Sequence, residues 1–273
     1  MTRAMWRELR GAVQGISQAV SGADGSNKAM TSNYENSSNK DSKYLDYSTI
    51  RCIIVQGEGA SFCAGGDISE YPEFRFSEET LRAFHEDDVA PALHALLACD
   101  VPIIAQIEGH CMGGGLEIAA CCDIRVAGES ANFGAPIAKL GMPMAPQELA
   151  IVLRAAGEAT VRAMLLEARL FSAQQMAHSG FVQHVVADNQ VAAQALSSAQ
   201  RIAALSPQAA RLNKQAIRQF YQSNMPVVQA FTAQAAIKNI ANTLPEASPF
   251  AYAASPEHVE GISAFLEKRP ANF

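Results

Sequence analysis

Residues 109–128 read GHCMGGGLEIAACCDIRVAG. An apolar run opened by Pro102, Ile103 to Ile107, precedes them and reads as a buried strand. Gly109 to Met112 form a loop into the triplet Gly113-Gly114-Gly115, Leu116 to Cys122 have the composition of a helix, and Ile124 to Ala127 read as the next strand. Strand, glycine turn, helix and strand in that order predict βαβ units and mostly parallel pairing.

Working upstream, Cys52-Ile53-Ile54-Val55 is a second buried strand that ends in the turn-rich Gly57 to Ser61, directly before another glycine turn, Phe62-Cys63-Ala64-Gly65-Gly66-Asp67. A charged, helix-prone stretch follows Ser77, and Pro91 should break or kink it. Near the start, Trp6, Leu9, Val13, Ile16 and Val20 recur at three- and four-residue steps, which predicts an amphipathic helix with a core-facing stripe. Its three arginines could suggest a transit peptide, but the periodicity is that of packing. Residues 21–48, rich in Ser, Asn, Gly, Asp and Lys, read as a flexible surface insertion.

Downstream of Pro146 the pattern is helical, with one strand expected at Val182 to Val186 after Ser179-Gly180. Ser206-Pro207 and Ser255-Pro256 each pair an N-cap with a proline at the first helical position. Two helical segments separated near Pro226 lie between them. No internal repeat is visible. The expected plan is an α/β core over 1–205 followed by a helical C-terminal region over 206–273.

With 273 residues the chain can bury one sizeable core, and its formal charge of -6 without a dense Lys/Arg run argues against a nucleic-acid partner. The six cysteines form no C-x-x-C pair or metal-site spacing, and reduced buried thiols in a cytoplasmic protein are expected. No apolar stretch is long enough to span a bilayer, so no membrane partner is expected.

The chemistry is expected at the two glycine turns. Neither matches a dinucleotide fingerprint, a phosphate loop or a nucleophile elbow. A small residue lets a ligand approach the backbone, and two N–H groups converging on one oxygen stabilise charge as it develops. The second turn adds a helix N-terminus, with Glu117 in its first turn. Two plain turns and a capping glutamate would read the same way if either stood alone.

Together with ANFGAP (131–136) and the ending EGISAFLEKRPANF (260–273), these turns resemble the crotonase superfamily, of enoyl-CoA hydratase and isomerase type. The resemblance implies an α/β crotonase-like spiral of ββα turns with a helical C-terminal oligomerisation region, assembled as a homotrimer or homohexamer. It implies an acyl-CoA or enoyl-CoA substrate and no separate cofactor or metal, coenzyme A being part of the substrate. Carried over by motif, Gly66 and Gly114 supply oxyanion-hole N–H groups, and Glu117 is the first of two catalytic glutamates. Ala64, Gly65, Gly66, Asp67 and Ile68 hold the adenine end of CoA. Phe265 and Lys268 reach CoA from a neighbouring subunit, and Lys268 with Arg269 supplies local positive charge.

Two positions depart from that pattern. Hydratases of this kind carry a second glutamate after the proline of Gly134-Ala135-Pro136, where this chain has Ile137. Water addition benefits from two carboxylates, and isoleucine can move no proton. Glu148, Asp87, Asp88 and His85 are the groups that could substitute, each otherwise an ordinary solvated helix residue, whereas His110 reads as a packing or hydrogen-bonding residue. Relatives also begin with two strands and a loop ahead of the first helix, whereas Met1 sits almost at that helix; losing a sheet edge should expose unpaired backbone. A catalytically silent acyl-CoA-binding protein is therefore the alternative. A serine hydrolase through Ser61 or Ser69 finds no legible triad spacing.

Overall fold

A computed structural model describes residues 1–22, 49–224 and 248–273. The segment expected to be a flexible insertion, apart from Ser21 and Gly22, and the break near Pro226 with the helix after it lie outside the described residues. Ser21 and Gly22 close the first helix, α1 (Arg3–Gly22).

The apolar runs become strands because β-branched side chains fit a sheet buried on both faces. β1 (Ile53–Gln56), β2 (Ile103–Ile107), β4 (Ile124–Gly128) and β7 (His184–Val186) form a parallel sheet in the order β1-β2-β4-β7. Its register pairs Ile53 with Ile103 and Ile104 with Ile124. A second sheet holds β3 (His110–Met112), β5 (Asn132–Gly134) and β6 (Phe171–Ser172), with β3 and β5 parallel and β5 and β6 antiparallel. Each turn of chain lays one strand in each sheet: β2 then β3, β4 then β5. Ahead of them β1 is followed by Cys63, which bridges to Cys111 of β3. This is the expected spiral of ββα turns, repeating in space although no repeat is visible in sequence.

Two strand readings change. Gly109 to Met112, expected as a loop, contains β3, because Gly109 at φ 56° turns the chain out of the first sheet and into the second. A methyl on Gly109 would lie 2.2 Å from Ala60 O, so only glycine fits that corner. β5 and β6 escaped the sequence reading because they are only three and two residues long.

Helices cover the sheets. α1 buries Trp6, Val13 and Val20 against the core, with Leu9 and Ile16 half-buried, and packs on α4 (Ala90–Ala98). The proline expected to break the Ser77 helix does not. α3 (Glu78–Ala83) runs into a π-helical stretch, Phe84–Val89, that continues into α4. There Ala90 N–H bonds back to His85 O, five residues away, a register that accommodates Pro91's missing N–H.

α5 (Gly114–Cys121) packs on α6 (Pro146–Ala156), which packs on α7 (Glu158–Leu166). α8 (Ala173–His178) and α9 (Val191–Ala203) flank β7 and β2. Both expected N-caps form: Ser206 Oγ accepts from Ala209 N–H at the start of α10 (Pro207–Asn224), and Ser255 Oγ from His258 N–H at the start of α11 (Pro256–Leu266). α10 is tied to the core by Lys214–Asp123 at 2.7 Å and Arg218–Asp100 at 2.8 Å. All six cysteines are free thiols, four of them buried. Among the described residues no helix is long and apolar enough to cross a membrane.

Candidate active site

The two glycine turns lie side by side. Cys63 N–H donates to His110 O at 2.9 Å, and Met112 N–H donates to Cys63 O at 2.9 Å. Gly65 and Gly113 touch: a methyl on Gly113 would lie 3.8 Å from Gly65 Cα. The N–H groups of Gly66 and Gly114 find no acceptor among the described residues. Gly114 is the first residue of α5, and the N–H groups of a helix's first turn have no intrahelical partner.

Aromatic side chains back both turns. A Cβ on Gly66 would lie 2.1 Å from Tyr71 Oη, and one on Gly114 would lie 2.7 Å from the Trp6 indole. Tyr71 belongs to the short helix α2 (Tyr71–Phe74), and Trp6 to α1. No space is left for a larger residue at either glycine without moving these rings.

Glu117 stands in the first turn of α5. Burial pushes its carboxyl well above the ordinary carboxylate range, the negative charge of Glu148 pushes it further, and the Arg75 guanidinium partly opposes both. Arg75 is itself buried, stacked 4.0 Å over the Tyr71 ring, and makes no ion pair among the described residues. The other end of α5 is held by Arg125, which donates to Ala119 O, Cys122 O and Phe181 O.

Ile137 opens a 3-10 turn, Ile137–Leu140, and packs half-buried on the core. The surrounding acids do not behave as solvated helix charges. Glu148, in the first turn of α6, is 1% exposed, and its Oε1 lies 3.0 Å from His85 Nδ1. Asp88 is also buried, but Arg3 Nε and Arg7 Nε hold it at 2.7 and 2.6 Å. Asp87 is exposed. Burial overturns the solvated reading of Glu148 and Asp88, and it follows from the packing of α6 on α5 and of α1 on the π-helical stretch. His110 bonds Asn132 Oδ1 through Nδ1 at 2.7 Å, the hydrogen-bonding role expected of it. Ser69 Oγ is taken by Asp67, and no histidine is bonded to Ser61 or Ser69 among the described residues.

Residues 41–273 match the family profile described as Enoyl-CoA hydratase/isomerase. The chain belongs to that family. It is 34% identical over 226 residues to the 2,3-dehydroadipyl-CoA hydratase of Escherichia coli (strain K12), covering 82% of this chain and 81% of that protein. Identity is 31% over 218 residues to the mevalonyl-coenzyme A hydratase of Aspergillus fumigatus, covering 79% and 75%. Among solved structures it superposes with a TM-score of 0.69 on an enoyl-CoA hydratase/carnithine racemase from Magnetospirillum magneticum, at 32% identity, covering 100% of this chain and 86% of that one.

An enoyl-CoA hydratase/isomerase is an acyl-CoA-binding enzyme of crotonase type, and the segments expected to meet CoA lie as follows. Ala64, Gly65 and Gly66 lie in the first turn, where Gly65 O accepts from the Met1 amino group at 2.7 Å. Asp67 has little left to offer: its N–H is given to Met1 O, and its carboxylate caps the turn Ile68–Glu70 by accepting from Ser69 N–H and Oγ, bonds that hold it below the usual range. α11 packs within the chain against the turns at Ile68–Glu70 and Ile137–Leu140, leaving Phe265 exposed. Lys268 is exposed and makes no ion pair among the described residues. Arg269, expected to share its role, is instead committed to Glu260 and Glu267, each at 2.6 Å. Glu260 lies within α11 and Glu267 follows its last residue, and the two intrachain carboxylates claim it together.

Proposed function

We propose that this chain is an acyl-CoA enzyme of hydratase/isomerase type that holds a thioester carbonyl between the N–H groups of Gly66 and Gly114, stabilises the enolate formed there, and moves the α-carbon proton with Glu117. The observation that carries this reading is the placement of Glu117, whose carboxyl burial pushes above the ordinary range, in the first turn of the helix whose unpaired Gly114 N–H adjoins the Gly66 turn. Donors of this kind, fixed before the reaction, favour charge as it develops; removing one such donor costs about 100- to 1000-fold in kcat. A carboxyl with raised proton affinity suits delivery to the α-carbon during hydration, and once ionised it can take one back.

Relatives named as 2,3-dehydroadipyl-CoA and mevalonyl-CoA hydratases support water addition to an enoyl thioester over other acyl-CoA chemistry. Lys268, exposed and without an ion pair among the described residues, is suited to a CoA phosphate, and the backbone of Ala64 to Ile68 to the adenine end. Exposed Leu212 and Ile217 on α10 support the reading of residues 206–273 as the surface that joins copies into a trimer or hexamer, within a cytoplasmic enzyme that needs no separate cofactor.

Ile137 favours one alternative, a catalytically silent acyl-CoA binder. A panel of enoyl-CoA thioesters in deuterated water, followed by mass spectrometry with Glu117→Gln alongside, separates the two. Glu117-dependent gain of water or of deuterium is expected. Acyl-CoA binding with no conversion on any chain length would establish the silent binder.

A further inference from the structure

We propose that His85, oriented by Glu148, is the base that takes the proton from the adding water, the task that Ile137 cannot perform. The inference rests on the acyl-CoA reading above and assigns the second acid–base position of that same site.

The geometry is that of an oriented imidazole. His85 Nδ1 lies 3.0 Å from Glu148 Oε1, and Glu148, with only 1% of its surface exposed, makes no ion pair among the described residues other than with this ring. A buried carboxylate accepts, so Nδ1 carries the proton, and in the neutral ring Nε2 is left with a bare lone pair. That Nε2 is buried and has no hydrogen-bond partner among the described residues. Phe250, stacked at 5.5 Å, and Phe84, edge-on at 5.0 Å, fix the plane of the ring. His85 and Glu148 both line a cavity of about 30 Å³ whose other walls include Ala90, Ala145 and Phe250. That is room for one water molecule. His85 also lies in the π-helical stretch Phe84–Val89, a register that recurs at functional sites.

The step balances as follows. The water oxygen bonds to Cβ of the enoyl thioester, its proton passes to His85 Nε2, the Cα–Cβ π pair moves between Cα and the carbonyl carbon, and the carbonyl π pair moves onto the thioester oxygen as enolate. The enolate collapses by taking the Glu117 proton at Cα. His85 then holds one extra proton and Glu117 lacks one, and transfer through solvent resets both. Glu148 is a positioning residue here, because it acts through the ring.

Two reactions read on the same variants in deuterated water test this. Exchange of the α-hydrogens of a saturated acyl-CoA needs only the enolate chemistry of Glu117, whereas hydration of an enoyl-CoA also needs the water's base. His85→Gln is expected to lose hydration by about 100-fold or more while keeping α-exchange within threefold of wild type, and Glu148→Gln, whose charge also bears on Glu117, to lose more of hydration than of α-exchange. Adding Ile137→Glu to His85→Gln is expected to recover at least tenfold of the hydration. Hydration by His85→Gln within threefold of wild type, with α-exchange intact, overturns the assignment and leaves the enolate reading standing. Parallel loss of both reactions in both variants, with no recovery from Ile137→Glu, shows a structural pair and also overturns it. A wild-type chain that neither exchanges nor hydrates removes the acyl-CoA reading and this inference with it.

Discussion

Cys63 and Cys111 are joined as an isolated parallel bridge, although 47 residues of chain separate them. This single bridge places the end of β1's turn against β3, so the Gly66 turn and the Gly114 turn share one wall of the molecule. Neither turn alone sets how far apart the Gly66 and Gly114 N–H groups lie. Their spacing is therefore a property of the sheet register, and disturbances to either turn should show first in turnover.

Gly66 is the most direct place to test this. A methyl there meets Tyr71 Oη at 2.1 Å, with ring carbons just beyond at 3.1 and 3.3 Å. Gly66→Ala is expected to lower kcat by about tenfold or more, since an ångström-scale misplacement of a donor is costly. Tyr71→Phe in the same chain removes the hydroxyl and should recover part of the loss. Steady-state kinetics of the single and double variants would read a non-additive pair; simple additivity would mean the ring is not what the methyl displaces.

Glu117 should leave a signature in stability as well as rate. Its folded carboxyl binds protons more tightly than the unfolded one, whose ordinary value is near 4.5. Its stabilising effect is thus fully present below that value and is lost as pH rises toward the folded value, by up to about 1.4 kcal/mol per pH unit. Glu117→Gln has no such loss. Urea unfolding from pH 4 upward should show the variant gaining on wild type as pH increases, and parallel curves would argue that the carboxyl is well solvated.

Arg125 holds the far end of α5. Burial lowers its hold on its proton, yet it remains charged and satisfies the Ala119, Cys122 and Phe181 carbonyls, two of which lie at the C-terminal end of α5, where the helix dipole favours a cation. Arg125→Met keeps the volume and strands those carbonyls. A loss of about 3–5 kcal/mol is expected in denaturant unfolding, and Arg125→Lys should recover only part of it.

Asp88 ties α1 to the stretch that carries His85, by accepting from Arg3 and Arg7 together. Asp88→Asn should lower Tm by about 2–6 °C in a thermal melt. Because α1 backs Gly114 through Trp6, acyl-CoA turnover is expected to fall with it. Unchanged Tm would mean that the apolar stripe alone docks α1.

Local patterns made much of this molecule legible in advance. The stripe of Trp6, Val13 and Val20 announced a core helix, and Ser206-Pro207 and Ser255-Pro256 announced two helix starts, because periodicity and capping act within a few residues. The glycine turns and Glu117 were legible because the residues themselves carry the local geometry. β5 and β6 were missed because strands of two or three residues leave no period to detect. Glu148 and His85 were noticed only as candidates, since nothing near Gln147-Glu148 in sequence distinguishes a buried carboxylate from a solvated one. The one available signal was the absence of a carboxylate at Ile137, which asks for a substitute without naming it.

By itself, then, the sequence determined the longer elements and their order, the two backbone turns and the family to which the chain belongs. All of these depend on side-chain volume, branching and chain stiffness over short distances. The tertiary structure alone decided which turns touch, which acids lose their water, and that His85 and Glu148, 63 residues apart, share a hydrogen bond. Those outcomes depend on desolvation and pairing, and both are set by what the rest of the fold packs around a group rather than by its neighbours in the chain.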